Sequence, residues 1–223
     1  MEQQRKVNYQ KELEKLLGKL ERSEQGHKVQ DAPGLFLHSC CAPCSSYVLE
    51  YLSTYFAITV FYYNPNISYK EEYEKRVEEQ KKFIWALNEE MASGQRTGYP
   101  ILLEEGNYEP ERFYELARGL EKCPEGGERC ERCFRLRLEE TGKRAAEGGY
   151  DFFATTLTIS PLKNAELLNR IGSQVGERLG VSWLWSDFKK KNGYKRSVEL
   201  SEEYELYRQD YCGCVYSKAE REK

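Results

Sequence analysis

Apolar positions in this chain follow two periods. From residue 1 to about 24 the stretch is charged. Within it Tyr9, Leu13, Leu16, Leu17 and Leu20 fall roughly on one face at helical spacing. That pattern predicts an amphipathic helix packed on the rest of the chain. Ser23 to Gly34 is polar, carries Gly26, Pro33 and Gly34, and reads as a connector. Leu35 to His38 then reads as a short buried strand. A small-residue turn holding Cys40, Cys41, Pro43 and Cys44 leads into a helix over Ser45–Tyr55. Ala57–Tyr63 is β-branched and aromatic, which predicts a second strand closed by Asn64-Pro65-Asn66. Ser68 is placed to cap a long helix from Tyr69 to about Met91, with Tyr69, Tyr73 and Val77 spaced by four.

Further along, Ile101–Leu103 predicts a third strand and Glu109–Leu120 a helix. Another helix, roughly Cys130–Glu147, is stopped by Gly148-Gly149. Phe152–Thr158 predicts a buried strand, Ser160-Pro161 the start of a helix, and Val181–Trp185 a last strand. The tail, about 186–217, is rich in lysine and tyrosine. Strands alternating with helices imply an α/β fold with a parallel sheet, whose sites lie at the carboxyl ends of strands. The expectation is one α/β domain over 1–223, with the helix at about 1–24 and the tail at about 186–217 as appendages.

Composition narrows the function. Charged residues make up 32% and hydrophobic ones 39%, and no apolar run approaches the roughly 18 residues of a membrane span. The start, Met-Glu-Gln-Gln-Arg, has no apolar segment of the kind that directs export. A reducing, cytoplasmic compartment is expected. There, eight cysteines point to metal binding or thiol redox chemistry rather than to a disulfide framework. A net charge of -3 does not advertise a nucleic-acid binder. Two basic groups qualify that: Arg129, Arg132, Arg135, Arg137, Lys143 and Arg144 around one cysteine pair, and Lys189–Lys191, Lys195 and Arg196 in the tail. The second group lies near Trp183, Trp185, Phe188 and Tyr194, aromatic rings able to stack on unpaired bases.

The cysteines form three sets: 40/41/44, 123/130/133 and 212/214. Cys130-Glu-Arg-Cys133 is C-x2-C. Added to Cys40-Cys41 it gives four thiolates, the number that holds a 4Fe-4S cluster or a tetrahedral zinc. Neighbouring side chains on a strand point to opposite faces, so Cys40 and Cys41 can share a centre only from within the turn. Cys44 and Cys123 are surplus to four ligands. Cys212-Gly213-Cys214 is C-x-C, whose disulfide departs from relaxed geometry and is easily reduced; two buried thiols are the alternative. His38, beside the cysteines, reads as a hydrogen-bonded histidine at the end of a strand or as a further ligand.

Five stretches in order give a resemblance: His38-Ser-Cys-Cys-Ala-Pro-Cys-Ser45, Tyr63-Asn-Pro-Asn-Ile67, Cys130-x-x-Cys133, Phe153-Ala-Thr-Thr-Leu-Thr-Ile-Ser-Pro-Leu-Lys-Asn164 and Tyr211-Cys-Gly-Cys-Val-Tyr-Ser217. Together they resemble the cobalamin-independent epoxyqueuosine reductases, from near Asn8 to Ser217. The resemblance implies an oxidoreductase acting on tRNA that removes the epoxide oxygen of epoxyqueuosine in the anticodon, the last step of queuosine biosynthesis. It implies a fold like that of the ATP-pyrophosphatases (HUP type), with the cysteine turn in place of the phosphate loop, so no ATP is expected. By the same resemblance Cys40, Cys41, Cys130 and Cys133 bind a 4Fe-4S cluster, and Cys212 and Cys214 are the redox-active pair. An additional iron ion is implied beside the cluster, with Cys44 its candidate ligand. Lys163, Asn164 and Arg208 are candidate substrate contacts, the first two by motif and the third by closeness to the dithiol. Electrons would come from a donor the sequence does not identify. The rival readings are a zinc-stabilised RNA-binding module, a cluster-dependent tRNA thiolase and a thiol–disulfide oxidoreductase acting on proteins.

Overall fold

The computed structural model describes residues 7–23 and 32–222. Most of the connector expected between Ser23 and Gly34, with His27, lies outside the described residues. Five strands pair in parallel: β1 (Gly34–Ser39), β2 (Ala57–Tyr62), β3 (Leu102–Glu105), β4 (Phe152–Thr155) and β5 (Ser182–Trp183). Their order in the sheet is β3-β2-β1-β4-β5. The helices are α1 (Tyr9–Ser23), α2 (Ala42–Leu52), α3 (Lys70–Ala92), α4 (Pro110–Ala117), α5 (Glu128–Glu147), α6 (Ala165–Leu179), α7 (Gly193–Glu203) and α8 (Val215–Arg221).

The inner strands read as apolar runs because both faces are covered. On one face Leu35, Leu37, Ile58 and Val60 meet Val48 and Leu49 of α2 and Phe83, Ile84 and Leu87 of α3. Leu13 and Leu17 bury α1 in the same core, and Tyr9 stacks on Trp185 with ring centroids 5.6 Å apart. On the other face Phe36, Phe61 and Phe153 meet Phe134 and Leu138 of α5 and Leu168, Ile171 and Val175 of α6. Each such side chain contributes about 1.5–3 kcal/mol on leaving water.

Several element boundaries differ from the sequence expectation, each for a local reason. α2 begins at Ala42, not Ser45, because Pro43 is pre-set for a first helical turn. The run from Phe152 leaves the sheet at Thr155. There the Thr155 hydroxyl accepts the Leu157 N–H at 3.2 Å and turns the chain into a 3-10 helix over Thr156–Ile159. The helix expected from Ser160-Pro161 starts at Ala165, where Asn164 Oδ1 accepts the Leu167 N–H at 3.1 Å and caps it. Ser68 does not cap α3; Tyr69 holds that position without a side-chain bond. The tail carries α7 and α8, which its lysine- and tyrosine-rich composition did not reveal.

Two glycines allow close packing: Gly142 brings α5 against α6, and Gly172 brings α6 against β5. A Cβ on Gly142 would lie 2.6 Å from Val175 Cγ1, and one on Gly172 would lie 2.3 Å from the Trp183 ring. Gly172→Ala is therefore expected to destabilise by about 1–3 kcal/mol in urea unfolding. Gly18→Ala, on α1 with open space around its Cβ position, should instead stabilise by roughly 0.5–1 kcal/mol.

Candidate functional site

β1 leads over α2 to β2 on one side, while β4 leads over α6 to β5 on the other. The strand order thus reverses between β1 and β4, and a crevice opens at their carboxyl ends. The cysteine turn stands on that crevice. Cys40 follows the last residue of β1, Cys41 is the extended N-cap of α2, and Cys44 lies in its first turn. Free of strand alternation, the three side chains converge: their sulfurs lie within 4.8 Å of one another, with Cys40 and Cys41 3.7 Å apart. Gln80 of α3 pins both flanks, its Oε1 accepting the Ser39 hydroxyl at 2.7 Å and the Ser45 hydroxyl at 3.0 Å. Hydrogen bonds from Cys41 and Cys44 hold the Cys40 thiol well below its ordinary range. The same bonds push Cys41 up to about 12 and raise Cys44, so of the three Cys40 is the one drawn toward the thiolate.

Cys130 and Cys133 are set one turn apart on α5, both buried. Cys130 Sγ accepts the Gly126 N–H at 3.2 Å. Burial raises both thiols, Cys133 to about 11. Cys40 packs against the apolar cluster that contains Cys130. Cys130 and Cys133 do not enter the 4.8 Å group formed by Cys40, Cys41 and Cys44.

Arg137, one turn beyond Cys133 on α5, is 3% exposed and has no carboxylate within ion-pair distance among the described residues. Its Nε donates to Cys133 O at 3.3 Å. Burial opposes its charge, but Cys133, Cys40, Cys212 and Cys130 outweigh burial and raise its pKa. One buried guanidinium thus faces thiols from all three sets. A buried cation is costly unless an anion partners it.

Cys212 and Cys214 are free thiols with sulfurs 3.5 Å apart. The hydrogen bond shared with Cys214, against burial and with help from Lys163, lowers Cys212 to about 5; Cys214 rises in exchange. A narrow void between Cys130, Cys133, Cys212 and Cys214 also touches Arg137 and Lys163. A cleft of about 340 Å³ opens beside it, walled by Cys40, Cys44, Cys212, Arg76, Arg137 and Lys163. Cys212 borders both spaces.

The other sequence candidates divide. Lys163 is half-buried in the cleft wall, 2.7 Å from Glu125, and its pKa is raised: Cys212 and Glu125 outweigh desolvation. Arg208 lines the cleft and donates to Ser201 Oγ at 3.0 Å. Asn164 is the cap of α6 and is not among the cleft-lining residues. His38 is fully buried between Thr155 Oγ1 (2.8 Å) and Tyr63 O (3.0 Å), and burial lowers it to about 3, which makes it a neutral bridge between β1, β2 and β4. Cys123 stays half-buried on the loop before α5, where its carbonyl accepts from Arg129. The basic group around Cys130 is not one surface patch: Arg129 and Arg137 are buried, Arg132 pairs with Glu128, and Arg144 pairs with Glu104 and Glu140. Sequence reading missed Arg137, Arg76 and Glu125 as cleft residues. The signal for Arg137 was its place four beyond Cys133 on one helical face; for Arg76, its place on the buried stripe of α3 between Tyr73 and Val77.

A parallel α/β protein with seven thiols around its strand-end crevice belongs to the thiol-rich redox or metal-binding class. The comparisons are specific. The family model described as epoxyqueuosine reductase QueH matches residues 35–220. Relatives bearing that description come from Staphylococcus epidermidis (44% identical, covering 95% of this chain and 85% of the relative) and Streptococcus pyogenes (42%, 97% and 80%). A more distant one comes from Thermotoga maritima (36%, 84% and 91%). The chain belongs to the epoxyqueuosine reductase QueH family. Among the described residues no helix is long and apolar enough to cross a membrane.

Proposed function

We propose that the chain is an epoxyqueuosine reductase acting on tRNA in the cytoplasm as one α/β domain. Two electrons and two protons convert the epoxide to an alkene, and its oxygen leaves as water. The observation that carries the reading is the common cleft of Cys40, Cys44 and Cys212 with two cations, the buried Arg137 and the half-buried Lys163. Oxidation of the Cys212/Cys214 dithiol to a disulfide releases two electrons and two protons, which balances the reduction. An external donor then restores the dithiol. Lys163 Nζ, held by Glu125, keeps a positive charge beside Cys212 and favours its thiolate. The cleft lip carries Tyr194 and Arg208, an aromatic ring and a cation suited to a flanking nucleotide.

The donor set fits an iron–sulfur centre: thiols with no imidazole or carboxylate among them, and an otherwise unpaired guanidinium to balance a net negative group. Cys40, Cys41, Cys130 and Cys133 would hold the 4Fe-4S cluster, and Cys44 would serve an additional iron. Such a centre supplies electrons singly. The strand order and the cysteine turn between β1 and α2 support kinship with the ATP-pyrophosphatase fold, with thiols where that fold has its phosphate loop; neither ATP nor cobalamin enters the reading.

Anaerobically reconstituted protein, incubated with epoxyqueuosine-containing tRNA and a chemical reductant, should give queuosine by nucleoside mass. Unchanged epoxyqueuosine would defeat the proposal. Cys214→Ser should leave the iron content intact and lower turnover by roughly a hundredfold or more. Turnover at the unmodified rate would remove the dithiol from the reaction.

A further inference from the structure

The segment after β2, Asn64 to Ser68, supplies none of the reacting groups named above, yet its polar atoms bind both thiol elements. Asn64 Nδ2 donates to Ser39 O at 2.8 Å, just before Cys40. Asn66 Nδ2 donates to Cys212 O at 3.1 Å. The Ser68 N–H donates to Gly213 O at 3.0 Å, and Ser68 Oγ accepts the Val215 N–H at 3.0 Å. Pro65 fixes the turn between the two asparagines. Asn66 is 2% exposed, and Asn64 is fully buried.

The dithiol loop is shaped to lie against this segment. Gly213 has φ +109°, and a Cβ there would sit 2.8 Å from Ile67 Cγ1. Only glycine meets both conditions. Arg76 closes the loop from the other side. Its guanidinium, paired with Glu72 at 2.7 Å, reaches Cys212 O at 3.4 Å and Tyr211 O at 3.5 Å. The hydrogen bonds to residues 211–213 and 215 all use main-chain atoms of the loop. None uses a sulfur.

We propose that Asn64–Ser68 is a dock that fixes the Cys212–Cys214 loop against the Cys40–Cys44 turn, with Asn66 and Ser68 as its positioning residues. Because the dock grips peptide groups, it holds the loop while the sulfurs are free to join or part. It sets the separation between the two thiol elements and keeps Cys214, 4% exposed, inside. Its part in turnover rests on the function proposed above; its grip on the loop does not.

The test is site-resolved alkylation of the reduced full-length chain under anaerobic conditions, read by peptide mass. In Asn66→Ala/Ser68→Ala the alkylation rate of Cys214 should rise by about tenfold or more, while Cys123 keeps its rate. Ser68→Thr retains the hydroxyl acceptor on a half-buried residue and should behave as the parent. In the tRNA assay the double variant should lose about tenfold in kcat with KM unchanged. A Cys214 rate equal to the parent's would overturn the dock, as would a rise shared equally by Cys123 and Cys133, which marks general loosening. If the double variant does not fold, Ser68→Ala against Ser68→Thr gives the same comparison. A parent protein that alkylates as expected but leaves epoxyqueuosine intact would defeat the function and leave the dock standing.

Discussion

Serine in place of Cys130 or Cys133 should abolish turnover, by more than about a thousandfold, and remove the visible absorbance of the reconstituted protein. Serine at Cys44 should leave that absorbance in place. The contrast follows from how the sulfurs are spaced. Cys40, Cys41 and Cys44 lie within 4.8 Å of one another, a spacing that suits three ligands on a single ion. Cys130 and Cys133 stand outside that group but line the void that borders Cys212, with Arg137 between the sets. One ion on the triad has no use for them. A four-iron centre spreads its ligands over separate corners and needs a thiolate from each side. Iron and acid-labile sulfide per chain, together with the paramagnetic signature of the reduced state, decide it. If Cys44→Ser strips all the metal and Cys130→Ser strips none, the triad holds a mononuclear ion. A colourless protein that loads zinc on the triad would favour the non-catalytic RNA-binding alternative.

The inner strands were legible because they are buried on both faces. Leu35-Phe36-Leu37 and Phe153-Ala154 have no polar alternation to confuse them with surface segments, and their flanking helices keep a 3.6-residue period. The cysteine turn was legible for the same reason: a thiol cluster directly after such a strand falls at a carboxyl end. The boundaries that moved were those set by single side chains. Thr155 and Asn164 each divert a backbone N–H, and nothing in the apolar pattern marks where a hydroxyl or carboxamide will do so. Lys163 was named for its motif, but its place is an ion pair with Glu125, thirty-eight residues earlier in the chain. Arg137 was hidden by its company. In a run with Arg129, Arg132 and Arg135 it read as one member of a basic group around the cysteine pair; only the fold shows that Arg129 and Arg137 turn inward while Arg132 stays out.

Arg137→Met should act in opposite directions on the metal-free and the metal-loaded protein. Without metal, Cys40 and Cys212 are drawn toward the thiolate while Cys41, Cys44, Cys130, Cys133 and Cys214 are held toward the neutral thiol, so the buried guanidinium faces fewer anions than it does with metal bound. Methionine removes a buried charge, keeps an unbranched side chain, and puts an apolar group beside Phe134. The apo form should unfold at the same or a higher denaturant concentration. With metal bound, every ligating thiol is a thiolate. A guanidinium in contact with a thiolate contributes about 4 kcal/mol at ~4 Å and an effective dielectric constant near 20. Loss of that attraction should lower metal retention during desalting by at least about tenfold and carry turnover down with it. Arg137→Lys, which keeps the charge but not the planar fork, should recover most of the retention. Chemical denaturation of the apo protein and iron content after gel filtration separate the two effects. Equal destabilisation of the apo and loaded forms would reduce Arg137 to a packing residue, and unchanged iron content would show that the centre draws its compensating charge from elsewhere.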